Sequence, residues 1–348
     1  MAPGRSDSAA IIDHGGSLER ARFLFPDAPQ PWIDLSTGIN PHSYPVLDLP
    51  ATSFTRLPEP GQGKALARVA AETYGAPSAA HVVPAPGTQV LLPLVASLVP
   101  PGRAAVLGPT YAEHRRAAAI AGHQVEETGD LQRLAEADLA ILVNPNNPDG
   151  RIISRTDVLQ LADRVGSRGG LLVVDEAFMD VGPRSESVDA DVDHGSLVVL
   201  RSFGKFFGLA GIRLGFAIAS PELATGLDAR LGPWAVSGPA LEIGLRGLAD
   251  KDWQETMRIR LSEAAKRLDA LLMRRDIPVV GGVSLFRYVR LREAPALFDT
   301  LGRHGILVRL FVDRPDCLRF GLAADEAGWE RLVEALRAWQ DTRESIKL

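Results

Sequence analysis

The sequence has very little cysteine, few aromatic residues and no excess of either charge. Its one cysteine, Cys317, excludes an intramolecular disulfide and any metal site built from several cysteines. Aromatic residues make up 6% of the chain, and 38 Lys and Arg against 43 Asp and Glu give a formal charge of −5. Basic residues scattered along a mildly acidic chain do not form the positive patch that nucleic acids require. We therefore expect no disulfide scaffold, no metal centre and no nucleic-acid partner.

Long hydrophobic runs are also missing. The most apolar stretch, residues 90–99, contains Pro93 and is far shorter than the roughly 20 residues that a membrane-spanning helix needs. The first ten residues lack the apolar stretch of a signal peptide. We expect a soluble, cytoplasmic protein with no membrane partner. At 348 residues with 46% hydrophobic residues, the chain is long enough for about two domains with buried cores.

Short apolar runs alternate with helical patterns through the first two thirds of the chain. The runs at 139–143, 171–174 and 197–201 show no polar alternation, which predicts strands covered on both faces in a mainly parallel sheet. The sequence thus predicts an α/β fold, with a large three-layer α/β/α domain over 46–235. A smaller α+β domain is expected over 236–348. Residues 1–45, rich in proline, are expected to form an arm that packs with the small domain and the active site.

Polar residues follow three of these apolar strands. Asn147 lies in the turn after 139–143, Asp175 directly follows 171–174, and Lys205 lies in the loop after 197–201. Because ligands gather at the carboxyl ends of parallel strands, these side chains are expected at one edge of the sheet. Each residue alone has an ordinary explanation as a helix cap, a turn former or a solvated lysine. Only their combination points to a site.

Together these residues resemble the fold-type-I pyridoxal-phosphate enzymes, the aspartate aminotransferase superfamily, and the resemblance covers most of the chain. Its most specific part is a Ser-x-x-Lys motif followed by Lys-x7-Arg, which Ser202, Lys205 and Arg213 fit. The resemblance implies that Lys205 forms a Schiff base with pyridoxal 5′-phosphate. It also implies that Ser202 and Arg213 bind the cofactor phosphate. Asp175 would pair with the pyridinium nitrogen, so that the ring can accept electrons.

The same resemblance assigns further cofactor contacts. Asn147 would hydrogen-bond the ring hydroxyl, and Tyr111 would stack on the ring face. The sequence Gly87-Thr88-Gln89 opens a predicted helix. Backbone amides at such a helix start, together with the helix dipole, suit a phosphate group.

Residues outside the large domain imply a substrate with two anionic groups. Arg319 matches the carboxylate-binding arginine of the superfamily, and Arg309 stands where histidinol-phosphate aminotransferases bind a substrate phosphate. In the arm, His14, Gly15 and Asn40 are similar to residues that line the substrate phosphate site of the threonine-phosphate decarboxylases of cobalamin biosynthesis. The resemblance thus implies a small phosphorylated amino acid as substrate.

Three departures from the aminotransferase pattern bear on the reaction. Phe178 stands where aminotransferases usually carry a tyrosine, and the decarboxylases share this phenylalanine. Gly204 stands where a serine or threonine often precedes the lysine. Leu57 stands where relatives carry a tyrosine that reaches the partner subunit's cofactor phosphate, so one cross-subunit contact is in doubt. The family implies a homodimer with its active site at the interface.

The reaction that the resemblance implies is decarboxylation of L-threonine O-3-phosphate to (R)-1-amino-2-propanol O-2-phosphate, with Lys205 and Asp175 as catalytic residues. Two alternatives stay open. A histidinol-phosphate-type aminotransferase using 2-oxoglutarate and glutamate would need the same lysine and aspartate. A protein of this fold could also bind a ligand without turnover.

Overall fold

The structure is a computed structural model that describes residues 15–45 and 48–347. In chain order, the strands are β1 (Ile33–Asp34), β2 (Val82–Ala85), β3 (Arg103–Leu107), β4 (Gln124–Thr128), β5 (Leu139–Val143), β6 (Leu171–Asp175), β7 (Leu197–Ser202), β8 (Gly215–Ala219), β9 (Val279–Val283), β10 (Phe286–Arg290), β11 (Ile306–Leu307), β12 (Arg309–Phe311) and β13 (Arg314–Phe320). The helices are α1 (Leu18–Leu24), α2 (Thr52–Thr55), α3 (Pro60–Tyr74), α4 (Thr88–Ala96), α5 (Glu113–Ile120), α6 (Leu131–Ala135), α7 (Arg155–Gly166), α8 (Phe203–Phe206), α9 (Pro221–Leu231), α10 (Gly238–Ala249), α11 (Lys251–Met273), α12 (Ala294–Arg303) and α13 (Glu326–Lys347).

The larger compact unit, residues 42–258, contains a sheet with strand order β2-β8-β7-β6-β5-β3-β4. Neighbouring strands from β7 to β4 run parallel, and β8 is antiparallel to both of its neighbours. Side chains of β5 and β6 such as Ile141 and Val173 pack with α4, α5 and α9 on one face. The intervening Leu142 and Val174 are fully buried as well. Burial of both sets explains the uninterrupted apolar runs and confirms the predicted mainly parallel α/β fold.

The smaller unit joins the described arm, 15–41, with residues 259–347. Strands β12, β13, β10 and β9 form an antiparallel sheet in that order. The arm enters this unit through β1, which pairs in parallel with β11 and places Ile33 opposite Ile306. Phe25 of the arm packs over Gly302, where a Cβ atom would lie 2.2 Å from its ring. The small unit is therefore built from both ends of the chain.

The boundaries of the two units differ from the positions 45 and 235 that we expected from the sequence. The larger unit continues to Arg258, because α10 packs along α3. The Nε2 atom of Gln254 also donates hydrogen bonds to the carbonyl oxygens of Gly247 and Leu248, which joins the start of α11 to α10. Among the described residues, no helix combines the length and apolar character needed to cross a membrane.

Candidate active site

The loop that carries Lys205 begins where β7 ends. Ser202 is the last residue of that strand, and the short helix α8 then places Lys205 on the following turn, with its side chain half-buried. The Lys205 Nζ atom lies 5.9 Å from the centre of the Phe178 ring. A Cβ atom on Gly204 would lie 2.9 Å from the Cα atom of Ala210. Because that neighbour is backbone, Gly204 cannot be replaced by serine or threonine without moving the loop.

Asp175 ends the neighbouring strand β6 and is 6% exposed. Its Oδ1 atom accepts a hydrogen bond from the backbone amide of Ala177 at 3.0 Å. Its Oδ2 atom lies 2.9 Å from Nε2 of the buried His114. Since an ionised carboxylate can only accept, the imidazole Nε2 donates in this pair. Both oxygens of Asp175 are therefore held in place by donors from the protein.

His114 is not among the site residues predicted from the sequence. It lies three residues after Tyr111, and residues at that spacing lie on one face of a helical turn. The spacing therefore places a histidine beside the predicted ring-stacking tyrosine. The spacing alone does not predict the contact between His114 and Asp175, because the sequence does not show which strand end this helix faces.

Three of the predicted phosphate-binding residues, Gly87, Thr88 and Arg213, meet at the start of α4. Gly87 precedes this helix with a φ of +86°, and a Cβ atom on it would lie 2.7 Å from Nη2 of Arg213. A Cβ atom on Gly215 would lie 2.7 Å from the backbone nitrogen of Thr88. Two glycines thus keep a guanidinium group and a helix N-terminus free of side-chain crowding. A guanidinium beside the backbone amides of a helix start suits a phosphate group.

The other predicted ring contacts are held by their neighbours. The Tyr111 hydroxyl donates to Oε1 of Gln89 at 3.2 Å, and Nε2 of Gln89 donates to Oε2 of Glu113 at 2.8 Å. Gln89 therefore positions Tyr111 through a direct hydrogen bond.

Asn146 fixes the turn that precedes Asn147. Its Nδ2 atom donates to the carbonyl oxygen of Pro109 and to Oδ1 of Asp149, and its Oδ1 atom accepts from the Thr110 hydroxyl. Asn147 is half-buried in the same turn. Asn146 is therefore used to hold the turn, whereas the contact of Asn147 with the cofactor ring stays a prediction.

In the smaller unit, Arg309 and Arg319 are direct cross-strand neighbours on β12 and β13. Arg319 is buried, and its Nη2 atom donates to the carbonyl oxygen of Ser36 at 2.7 Å. Burial and the adjacent Arg309 lower the pKa of Arg319 to about 10, while Asp34 opposes the shift. Like charges placed directly opposite each other destabilise a sheet. Such an arrangement is favourable when an anion binds between the two side chains.

The described part of the arm reaches the same region of the smaller unit. A Cβ atom on Gly15 would lie 2.5 Å from the carbonyl oxygen of Ser36, so only glycine fits there without a shift of backbone. The next amide, that of Gly16, donates to Oγ of Ser36 at 2.7 Å. Asn40 is buried in this unit at 2% exposure. His14, the other arm residue predicted at the substrate phosphate, lies outside the described residues.

Comparison with known proteins identifies the family. A family model described as aminotransferase class I and II matches residues 52–336. The chain belongs to the aminotransferase class I and II family.

Within this family, two relatives are similar over nearly the whole chain. A protein named threonine-phosphate decarboxylase from Pseudomonas aeruginosa PAO1 is 42% identical over 334 residues, which cover 95% of this chain and 99% of the relative. A protein of the same name from a Sinorhizobium species is 41% identical, covering 94% and 98%. The solved structure of histidinol-phosphate aminotransferase from Sinorhizobium meliloti, in complex with pyridoxal-5′-phosphate, aligns with a TM-score of 0.82 at 20% identity over 98% of this chain and 99% of that one.

The aminotransferase class I and II residues of this chain fall into two groups. The larger unit contains the predicted cofactor residues, namely Gly87, Thr88, Gln89, Tyr111, Asn147, Asp175, Ser202, Lys205 and Arg213. The smaller unit contains the predicted substrate residues that the structure describes, namely Gly15, Asn40, Arg309 and Arg319. The assignment of each side chain to a cofactor or substrate atom stays a prediction.

The His114–Asp175 pair leads to a testable stability difference. We expect His114→Phe to lower the free energy of unfolding by about 1–3 kcal/mol, because a buried carboxylate loses its charge-assisted donor. The matched control is His194→Phe, since His194 pairs with Asp163 at 2.7 Å but is 46% exposed. An exposed pair contributes at most about 1 kcal/mol. Urea unfolding of the cofactor-free protein measures both changes, and equal small losses would contradict the buried role of His114.

Proposed function

We propose that this chain binds pyridoxal 5′-phosphate and decarboxylates L-threonine O-3-phosphate. The observation that carries the proposal is the pair of facing arginines, Arg309 and Arg319. Two relatives that are similar over nearly the whole chain and are named threonine-phosphate decarboxylase support it. Two cations side by side suit a substrate with both a carboxylate and a phosphate.

The residues of the larger unit fit the proposed cofactor. The glycine-lined space at Gly87 and Arg213 suits its phosphate, and the doubly held Asp175 suits a protonated ring nitrogen. Lys205 supplies the amine that would hold the cofactor aldehyde carbon. When bound, pyridoxal phosphate provides an electron sink for the pair left at Cα after a bond there breaks. The ionised Asp175, oriented by His114, would keep the ring nitrogen protonated for that purpose.

The choice of the breaking bond depends on how the substrate is held. Arg319 and Arg309 would bind the carboxylate and the phosphate, and their fixed positions would orient the bonds at Cα. In the proposed reaction, the bond between Cα and the carboxylate carbon breaks, carbon dioxide leaves, and its electron pair stays behind. The protonated Lys205 Nζ then donates a proton to Cα. The product would be (R)-1-amino-2-propanol O-2-phosphate, the linker of the cobalamin nucleotide loop.

A histidinol-phosphate-type aminotransferase is the second candidate. The fold likeness to such an enzyme and the shared lysine and aspartate favour it. In that reaction Lys205 would move a proton between Cα and the cofactor instead of replacing a carboxylate by a proton. Against it stands the buried Phe178, which offers no hydroxyl where aminotransferases usually carry tyrosine. A binding protein without turnover is disfavoured, because Lys205, Asp175 and Arg319 are all present.

The direct test measures carbon dioxide released from L-threonine O-3-phosphate with added pyridoxal phosphate and no keto acid. We expect release by the wild-type chain and loss of at least about a thousandfold in Lys205→Ala, which lacks the proton-donating amine. Lys64→Ala, a change at a lysine of α3, serves as the control. The proposal fails if no carbon dioxide appears while histidinol phosphate and 2-oxoglutarate yield glutamate.

The arginine pair predicts selectivity for the phosphorylated substrate. We expect Arg309→Gln to reduce kcat/KM for L-threonine O-3-phosphate by about 10- to 100-fold, because a charge-assisted contact contributes roughly 1.5–3 kcal/mol. Activity toward unphosphorylated L-threonine should change far less. Steady-state kinetics with both substrates measure the difference, and the exposed Arg337→Gln is the control. An equal loss of kcat/KM for both substrates would show that Arg309 does not bind the substrate phosphate.

We also propose that the chain forms a homodimer, as the family implies. In the larger unit, Phe54, Leu57 and Trp234 are 68%, 64% and 58% exposed. Pro58, which follows Leu57, and Trp234 line one cavity of this unit. Apolar side chains exposed close together mark interaction surfaces. Sedimentation velocity should give a mass of twice 37.3 kDa, and Trp234→Asp should shift the population toward a monomer. A wild-type monomer at micromolar concentration would refute this part of the proposal.

A further inference from the structure

A buried charged cluster lies next to the cofactor residues in the sequence. Arg201 immediately precedes Ser202, and Glu176 immediately follows Asp175. The Arg201 side chain is 3% exposed and the Glu176 side chain is fully buried, with 3.0 Å between Nη1 and Oε2. The guanidinium carbon also lies 4.3 Å from the centre of the Tyr74 ring. None of these side chains is part of the cofactor or substrate site described above.

Two further carboxyl groups complete the cluster. Arg201 Nη2 lies 3.2 Å from Oδ1 of Asp180, and Nη1 lies 3.5 Å from Oδ2 of Asp189. Both aspartates are buried, and among the described residues the outer oxygens Asp180 Oδ2 and Asp189 Oδ1 accept no hydrogen bond. Three buried carboxyl groups therefore surround one arginine. Full ionisation of all three would leave uncompensated negative charge in a buried position, which is strongly unfavourable.

The hydroxyl group of Ser187 lies between the carboxyl groups of Glu176 and Asp189 and bears on their protonation. Its Oγ atom lies 2.7 Å from Oε2 of Glu176 and 2.9 Å from Oδ2 of Asp189. A hydroxyl group has one hydrogen and can donate to only one of these oxygens. The second contact is favourable only if the other carboxyl group carries a proton and donates it to the serine. The geometry therefore favours one proton on Glu176 or Asp189.

Burial and the neighbouring carboxylates also favour a protonated carboxyl group in this cluster. Burial first, and then the charge of Asp189, raise the pKa of Glu176 to about 8, although Arg201 opposes the shift. Burial also raises the pKa of Asp189, against Arg201. Four other groups face the cluster, namely Tyr74, Asp180, Arg184 and Arg258. The charge of Arg184 opposes the rise in the pKa of Asp189. The Nε atom of Arg258 donates to the carbonyl oxygen of Asp180 at 2.9 Å.

We propose that Glu176 and Asp189 share one proton through Ser187, and that this protonated pair positions the ends of β6 and β7, which hold Asp175 and the Lys205 loop. The positioning part rests on the proposed cofactor site, whereas the shared proton does not. Glu176 and Arg201 are positioning residues in this scheme, because they act through the adjacent residues of their own strands.

The route from the cluster to the site is short. Asp175 pairs with Leu200 in the parallel register, and the backbone amide of Glu176 donates to the carbonyl oxygen of Leu200 at 2.9 Å. Arg201 and Ser202 are the next two residues of β7. Loss of the shared proton would place two anionic carboxylates on one hydroxyl hydrogen, next to these strand ends. Repulsion between them would then displace Asp175 or Ser202.

The first arm of the test uses the cofactor-free protein. The pKa of Glu176 is higher in the folded chain, about 8, than the ordinary value of 4.5, so the folded state holds more protons between these values. Stability therefore falls as pH rises through this window. We expect the melting temperature of the wild-type chain to fall between about pH 6 and pH 8, and Glu176→Gln to flatten that slope. Glutamine has the same shape and cannot lose a proton.

Asp189→Asn should flatten the slope in the same way, because the proton is shared, and it keeps the test available if one variant does not fold. The exposed Glu263→Gln is the matched control and should retain the wild-type slope. A slope that neither Glu176→Gln nor Asp189→Asn alters would overturn the shared proton.

The second arm measures release of pyridoxal phosphate from the loaded protein by absorbance during dialysis. In the wild-type chain, release should be at least about threefold faster near pH 9 than near pH 7, and in Glu176→Gln nearly independent of pH. A flattened melting slope with unchanged pH dependence of release would overturn the positioning role. Failure to bind the cofactor at any pH would refute the proposed function and with it the positioning role. The melting measurement would still test whether Glu176 and Asp189 share a proton.

Discussion

The parallel pairing of β6 with β7 is the constraint on which the rest of the site depends. Its register brings Asp175 level with Leu200, so that the aspartate and the loop containing Lys205 leave the sheet at the same edge. The same register brings Glu176 against Arg201 and thereby builds the buried cluster. One set of backbone hydrogen bonds thus places the proposed cofactor residues and the charged network beside them. A shift of a single residue between these strands would disrupt both.

The two units contribute different chemistry. In the larger unit, buried carboxylates, glycine-lined backbone and a half-buried lysine suit a cofactor with a cationic ring nitrogen and a phosphate. In the smaller unit, Arg309 and Arg319 are held as neighbours by the β12–β13 pairing, although like charges repel. Hydrogen bonds connect Arg319 to Ser36 and Ser36 to Asp34. Contacts with the arm therefore help to hold Arg319 opposite Arg309. Each unit therefore holds one of the two groups of predicted site residues.

Much of the larger unit could be predicted from sequence, because strands buried on both faces read as apolar runs. The strands β5, β6 and β7, and the polar residues after them, follow directly from that pattern. Strand β4 is missing from the sequence prediction, because its residues at the sheet edge are largely polar and none of them is fully buried. The largely apolar run at 306–310 reads as one strand in the sequence, but it is divided between β11 and β12, since its first part pairs with the arm and its second part with β13.

The site residues also differ in whether a local sequence pattern predicts them. Lys205 and Asp175 could be predicted because each follows an apolar strand in a recognisable spacing. His114 and the Glu176–Ser187–Asp189 contacts could not, because they depend on which side chains meet across the folded chain. The unusual Gly204 has a physical reason that only the structure shows, namely the backbone of Ala210. Patterns along the chain thus identify residues with strong local signals, whereas partners distant in sequence require coordinates.

The fate of the substrate carboxylate distinguishes decarboxylation from transamination most directly. L-Threonine O-3-phosphate labelled with ¹³C at the carboxyl carbon is incubated with the protein and pyridoxal phosphate, and the label is followed by nuclear magnetic resonance. Decarboxylation predicts that the label appears as carbon dioxide and bicarbonate, with one unlabelled amine product formed in equal amount. Label retained in a keto acid, formed only when an amino acceptor is present, would contradict decarboxylation and favour transamination.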